Sequence, residues 1–306
     1  MPATFRQIAG PGEVFLDHIA HWVPEIAGAA AAMERLGFVL TPYTEHTNST
    51  APGEPIVPAG SANHCIMLRE GYLEILTPTA DTAIGRELRA GIGRYTGVHL
   101  IAFNCADAAS QRERLIVEGF DQRPVVDLRR ITDTADGKSG TLRFTVIRPV
   151  LGAMAEGRIQ FLTHHTPDLL WQDRWMDHPN TAERLGEVVV CVADPDEAAG
   201  RFGRYLDRAP ERIDGGWLIP CDRGRLALLD RRTLEAGLPG IEIPSLPYIA
   251  GYVIRCRNLD ACRVCLKRNQ IVYRELTDGM VAVSAPAALG GSLLFTGVTG
   301  AMPWGR

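Results

Sequence analysis

The chain has no long apolar run, no surplus of one charge and no paired cysteine framework, and each absence removes a class of function. No stretch approaches the roughly 20 apolar residues of a membrane-spanning helix, so no membrane partner is expected. Lys and Arg number 32 against 36 Asp and Glu, a formal net charge of −4. That balance gives no electrostatic reason to expect nucleic acid or an anionic surface as partner. The first residues lack the basic-then-apolar pattern of a signal peptide, so a cytoplasmic location is the expectation. Seven cysteines is an odd number, and Cys65, Cys191, Cys221 and Cys256 lie inside apolar runs, as reduced thiols acting as small hydrophobes do. Cys262 and Cys265 have zinc or redox spacing, but no second pair answers them and they fall in a predicted helix, where core packing is the better account. There is no P-loop, no Gly-x-Gly-x-x-Gly after a strand and no Gly-x-Ser-x-Gly elbow, so nucleotide cofactors and serine hydrolysis have no support.

What is present is repetition. At 306 residues, 46% hydrophobic and 22% charged, the chain has the composition of a soluble globular protein with room for two domains. The run Leu16-Asp17-His18-Ile19-Ala20-His21-Trp22-Val23 has cousins beginning at Gly97, Gly186 and Gly251. Each is a strand-like run followed by a helical segment and answered by further strands. The first module reads as strand 14–22, helix 24–36, strand 38–43, a loop over 47–60 rich in Asn, Ser, Pro and Gly, then strands 63–69 and 72–76. The second has strand 97–104, helix 106–118 and strands 123–130, 141–148 and 158–164; residues 79–95 connect the two through a short helix. After a Trp-rich bridge at 166–181 the pattern returns twice more. The fold class is therefore α+β: four β-α-β-β-β modules paired into two concave half-barrel sheets with helices outside. Residues 1–170 are expected to form the first pair and 171–306 the second.

Aligned on the opening runs, the modules carry His18, His99, Val188 and Tyr252 at one slot. On the answering strand, Tyr72-Leu73-Glu74-Ile75-Leu76 and its counterparts carry Glu74, Gln160, Ala227 and Leu294. The first pair thus offers two imidazoles, a carboxylate and an amide, whereas the second offers groups that pack and do not coordinate. Two neutral imidazoles with a carboxylate suit Zn²⁺, Fe²⁺, Ni²⁺ or Mn²⁺ and leave positions open for substrate. Glu74 among Leu73, Ile75 and Leu76 is costly to bury unless it meets a cation or a hydrogen-bond donor. The plainer account, a strand whose polar face is simply wet, explains one such histidine better than four polar residues at four matched slots. His164, four residues after Gln160, falls on the same strand face and is a candidate proton shuttle, with a strand-end role as the alternative. His21 lies opposite His18 and is expected to pack under the helix. Arginines 129, 143 and 148 would grip a carboxylate or phosphate if they faced the cup, although solvent-facing ion pairs are their commoner fate.

The Asp17-His18-Ile19 and Gly97-Val98-His99 openings and the Tyr72-Leu73-Glu74-Ile75-Leu76 strand resemble the ligand strands of the vicinal oxygen chelate superfamily, the glyoxalase, bleomycin-resistance and extradiol dioxygenase fold. The resemblance spans nearly the whole chain as architecture. It implies a divalent metal held by His18, Glu74, His99 and Gln160, with Glu74 doubling as general base in isomerase, lyase or epimerase chemistry on a small substrate. Glyoxalase-type members carry a carboxylate where Gln160 stands, which points away from glyoxalase I activity itself. Extradiol dioxygenases place their iron in the second module pair, whereas the candidates here lie in the first. An Fe²⁺ dioxygenase using His18, His99 and Glu74 is the alternative, and a third reading is a binding protein that sequesters a ligand without turnover. Two fused module pairs already satisfy the pairing that makes shorter relatives dimerise, which leaves a homodimer open.

Overall fold

The computed structural model describes residues 5–48, 57–134, 136–277, 279–297 and 302–305. In the first module β1 (Phe15–Trp22) leads through α1 (Ile26–Arg35) to β2 (Thr44–Asn48), β3 (Val57–Met67) and β4 (Tyr72–Pro78). A connecting helix, α2 (Ala83–Arg94), precedes the second module: β5 (Gly97–Asn104), α3 (Ala108–Val117), β6 (Val126–Asp133), β7 (Ser139–Ile147) and β8 (Arg158–His164). The short α4 (Pro167–Leu170) and a 3₁₀ turn at Asp173–Trp175 lead to β9 (Ala182–Cys191), α5 (Pro195–Leu206), β10 (Glu211–Ile213), β11 (Gly216–Pro220) and β12 (Arg225–Leu229). After α6 (Arg231–Gly237) come β13 (Tyr248–Cys256), α7 (Leu259–Arg268), β14 (Arg274–Thr277), β15 (Met280–Ser284) and β16 (Ser292–Thr296).

The expected α+β architecture is present. Two eight-stranded sheets run β2-β3-β4-β1-β5-β8-β7-β6 and β10-β11-β12-β9-β13-β16-β15-β14, so each joins two modules through their first strands. The module helices start on matched caps: Glu25, Asp107, Asp194 and Asn258 each accept from backbone N–H groups of the first turn. Each such cap gives a partner to a first-turn N–H that the helix itself leaves without one. These helices and the outer faces of both sheets share one core, in which Ile19, Leu73 and Ile101 meet Val188, Tyr252 and Phe295. His21 points into that core and meets the Tyr252 hydroxyl at 3.0 Å. Burial of the His21 ring pushes its pKa down to about 4.

In the first sheet β2 curls round to approach β6, which nearly closes a barrel. Inside, Ala20, Trp22, Leu100, Ala102 and Leu162 pack against Leu88 of α2, which covers one end. Gly91 makes that seat possible, because a Cβ there would lie 2.4 Å from the Trp22 ring. The second sheet is filled on the same side by Leu234 of α6 and by Trp304.

Two local expectations need correction. The second strand lies at 44–48, not 38–43, and so takes in residues expected to be loop; residues 49–56 of that loop lie outside the described residues. A polar edge strand (Thr44-Glu45-His46-Thr47) carries no apolar alternation by which to find it. The strand slots are also offset. Glu187, not Val188, faces Val253 and Arg225, whereas His18 faces Ala102 and Tyr72. Glu187 is thus the counterpart of His18, and Val188 belongs to the core between the sheets.

Candidate active site

Two β-bulges shape the inside of the first barrel. Pairing between β1 and β5 steps from Leu16–Phe103 to His18–Ala102, which leaves Asp17 as an extra residue. It steps again from Ala20–Leu100 to His21–Val98, which leaves His99 as the second. Strict alternation would turn Asp17 away from His18. A bulge re-aims a side chain, and here the Asp17 carboxylate bridges two imidazoles, His18 Nδ1 at 2.7 Å and His164 Nε2 at 2.9 Å. All three are buried. Burial pushes the Asp17 pKa up, but hydrogen bonds and charge from His164 and His18 outweigh it and hold the carboxyl well below its usual range. The carboxylate therefore fixes Nδ1–H on His18 and Nε2–H on His164. His18 stacks on Tyr72 at 4.2 Å, with its free Nε2 3.5 Å from the Tyr72 hydroxyl.

Tyr72 and Glu74, two apart on β4, share a face and line a cavity of about 470 Å³. Asn63 and Cys65 of β3, Thr41, Arg130 of β6 and an apolar wall including Phe144, Leu169, Leu170 and Trp175 complete it. Asn63 Nδ2 donates to Glu74 Oε1 at 2.5 Å. Burial raises the Glu74 pKa, but His46, His18, Arg130 and Asn63 together pull it below the usual value, so the carboxylate is ionised at neutral pH. His46 bonds Ser61 Oγ through Nδ1 at 2.9 Å, and burial with Arg130 nearby pushes its pKa down to about 3. Burial and the nearby carboxylates push the Tyr72 phenol well above its normal pKa, so it stays protonated.

The residues singled out from sequence are divided between the two ends of the barrel. His18, Glu74 and His164 lie toward the cavity end. His99 lies three residues along β5 from the partner of His18, about 10 Å at strand rise. There it stacks between Tyr95 (4.0 Å) and Trp22 (5.1 Å) and donates Nε2–H to the Tyr95 carbonyl at 2.7 Å. Gln160 shares a row with His18, but Ala102 stands between them, and Gln160 Oε1 accepts from Arg148 Nε at 2.8 Å. Among the described residues no three His, Cys, Asp or Glu side chains converge as a coordination shell would require. With a guanidinium on Gln160 and His99 at the far end, this donor set does not fit a metal ion. Of the residues that sequence reasoning passed over, Tyr72 could have been found from its spacing to Glu74. Asp17 is aimed by a bulge, while His46, Asn63 and Arg130 come from strands whose facing alternation alone does not fix.

A model of the glyoxalase-like domain matches residues 16–206, from the start of β1 to the end of α5. The chain belongs to the glyoxalase-like domain family. No curated protein matches it in sequence. Among solved structures, a hypothetical protein from Staphylococcus aureus is similar with a TM-score of 0.61 at 12% identity, over 93% of this chain and 100% of that one. A mutant of 4-hydroxymandelate synthase from Streptomyces coelicolor follows at 0.58 and 14% identity, over 95% of each chain. A fusion of a xylose isomerase-like TIM barrel with 4-hydroxyphenylpyruvate dioxygenase gives 0.54 and 12%, over 97% of this chain and 51% of that one. The synthase and the dioxygenase belong to the vicinal oxygen chelate superfamily. At these identities the likeness is one of fold. No helix among the described residues of this glyoxalase-like chain is long and apolar enough to cross a membrane.

Proposed function

We propose that the protein takes a small carbonyl-bearing molecule into the first barrel and moves a proton on it, an isomerase- or lyase-type reaction. The observation that carries this reading is an ionised carboxylate, Glu74, beside a protonated hydroxyl, Tyr72, on one cavity wall. Glu74 takes a proton from the carbon next to the carbonyl. Tyr72 gives its own to the substrate, and the proton held by Glu74 then returns to the Tyr72 oxygen across the cavity they share, while His18, oriented by Asp17, positions the Tyr72 hydroxyl from behind. Arg130 lines the same cavity and meets the charge that develops on the substrate oxygen. Because the Glu74 pKa is depressed, the carboxylate is a weak base, and the reaction requires a C–H bond that the carbonyl has already acidified. No step runs through a metal, since the candidate donors do not converge.

That depressed pKa also favours a second reading, in which Glu74 only anchors a ligand that is sequestered without turnover. One experiment separates the two. A panel of small α-keto and α-hydroxy acids, aldehydes and ketones is incubated with protein in D₂O and read by NMR for binding and for deuterium entry. Proton transfer predicts exchange next to the carbonyl of a bound panel member, slowed about 10²-fold or more in Glu74→Gln. Binding without exchange supports sequestration, and binding unaffected by Glu74→Gln sinks both readings.

A further inference from the structure

The end of the first barrel that α2 covers holds a second cavity, of about 300 Å³, which shares no lining residue with the first. Its charges do not balance. Four guanidinium groups, Arg94, Arg123, Arg148 and Arg158, line it against a single carboxylate, Glu87. Arg158, with its side chain 8% exposed, takes most of Glu87, at 2.8 Å, while stacking over Trp22. Arg123 reaches the other Glu87 oxygen only at 3.6 Å. Arg94 is spent on the carbonyls of Ala155 and Pro247. Arg148 bonds the neutral Gln160 through Nε and forms no ion pair among the described residues. Burial, then the charges of its Arg neighbours, pull the Arg148 pKa down to about 9. A half-buried guanidinium crowded by others of its own sign and without a counter-charge is costly unless an anion completes it.

His99 lines the same cavity. Its Nε2–H is committed to Tyr95, so Nδ1 carries the lone pair, and burial keeps the ring neutral with its pKa down at about 4. The remaining wall is apolar, with Trp22, Pro149, Val150, Met154 and Ile159. We propose that this cavity is a binding site for a small organic oxyanion, a carboxylate or phosphate gripped by Arg148 and Arg123, with His99 Nδ1 accepting from a hydroxyl on the ligand. The planar fork of arginine suits both anion types, and an apolar wall accommodates a carbon skeleton.

The test is calorimetric titration of the full chain with inorganic phosphate and, separately, with succinate. Saturable binding of either anion at one site is expected, weakening as salt rises. Phosphate alone, succinate alone or both would each support the site and assign its ligand class. Arg148→Met should bind about tenfold more weakly, as for a lost charge-assisted hydrogen bond. Arg123→Met, at the more exposed rim, provides the same reading if Arg148→Met does not fold. Arg86→Met removes an exposed charge elsewhere on α2 and should bind as the wild type does. Binding of neither anion, or equal loss in Arg86→Met and Arg148→Met, would overturn the proposal.

Discussion

The two barrels share one framework and hold opposite contents. Asp17 and His99 are the extra residues at the bulges of the first barrel, and Gly186 and Ala250 occupy the same places in the second. The row His18, Ala102, Gln160 answers to Glu187, Val253, Leu294, and Glu74 answers to Ala227. In the second barrel the one buried carboxylate among the described residues, Glu187, is closed off by the chain itself: Arg225 pairs with it and Trp304 Nε1 donates to it at 2.8 Å. In the first, Glu74 lines an open cavity and Arg148 has no carboxylate partner among the described residues. Where polar groups are fully satisfied within the chain they serve packing. Where they are left facing space, they are open to a ligand.

The sharpest way to break this contrast is at Asp17. Asp17→Ala leaves two buried imidazoles without their acceptor, and a loss of about 3–5 kcal/mol is expected in urea denaturation, as for a broken buried pair. Because the folded pKa of Asp17 lies below its unfolded value, its contribution is full above the ordinary Asp range and drains as pH falls through it. The advantage of wild type over Asp17→Asn should therefore shrink in acid; an advantage independent of pH would contradict the network.

In the second barrel, Glu187→Ala should cost about 2–3 kcal/mol by stranding Arg225 and the Trp304 N–H. Here the pKa is raised, burial outweighing Arg225, so the pH trend has the opposite sign. Wild type should lose ground to Glu187→Gln as pH rises from the ordinary Glu range toward neutrality. Denaturation midpoints of the two proteins across that interval check it, and a parallel trend in both would remove the distinction drawn between the barrels.

The smallest effects concern His99. His99→Leu keeps the apolar stack and gives up one bond to Tyr95, so about 1 kcal/mol of stability is expected to go. Elemental analysis of protein purified without chelator or affinity tag should find well below one equivalent of Fe, Zn, Ni or Mn. One equivalent in the wild type, lost in both His18→Ala and His99→Ala, would restore a shared metal centre and overturn the donor arrangement described above.

The four modules, the inward face of Glu74 and the shared strand face of Gln160 and His164 were legible because period-two alternation and helix signals are local properties. Alternation fails wherever a residue is inserted into a ladder. A single bulge hides Asp17 from the reading that finds His18 beside it, and an offset of one position makes Val188 stand in for Glu187. His46 and Arg130 reach the neighbourhood of Glu74 only because β2 curls to meet β6, a closure that no local pattern announces.

The paired bulges have a use beyond this chain's own chemistry. Gly186 and Ala250 occupy backbone positions already tilted out of the ladder, with the smallest residues of the alphabet in them. A designer who wished to install a second catalytic apparatus would not need to reshape the sheet. The insertion points exist, and the obstacle is Trp304, whose indole shares a core with Ala250 and is bonded to Glu187, the neighbour of Gly186.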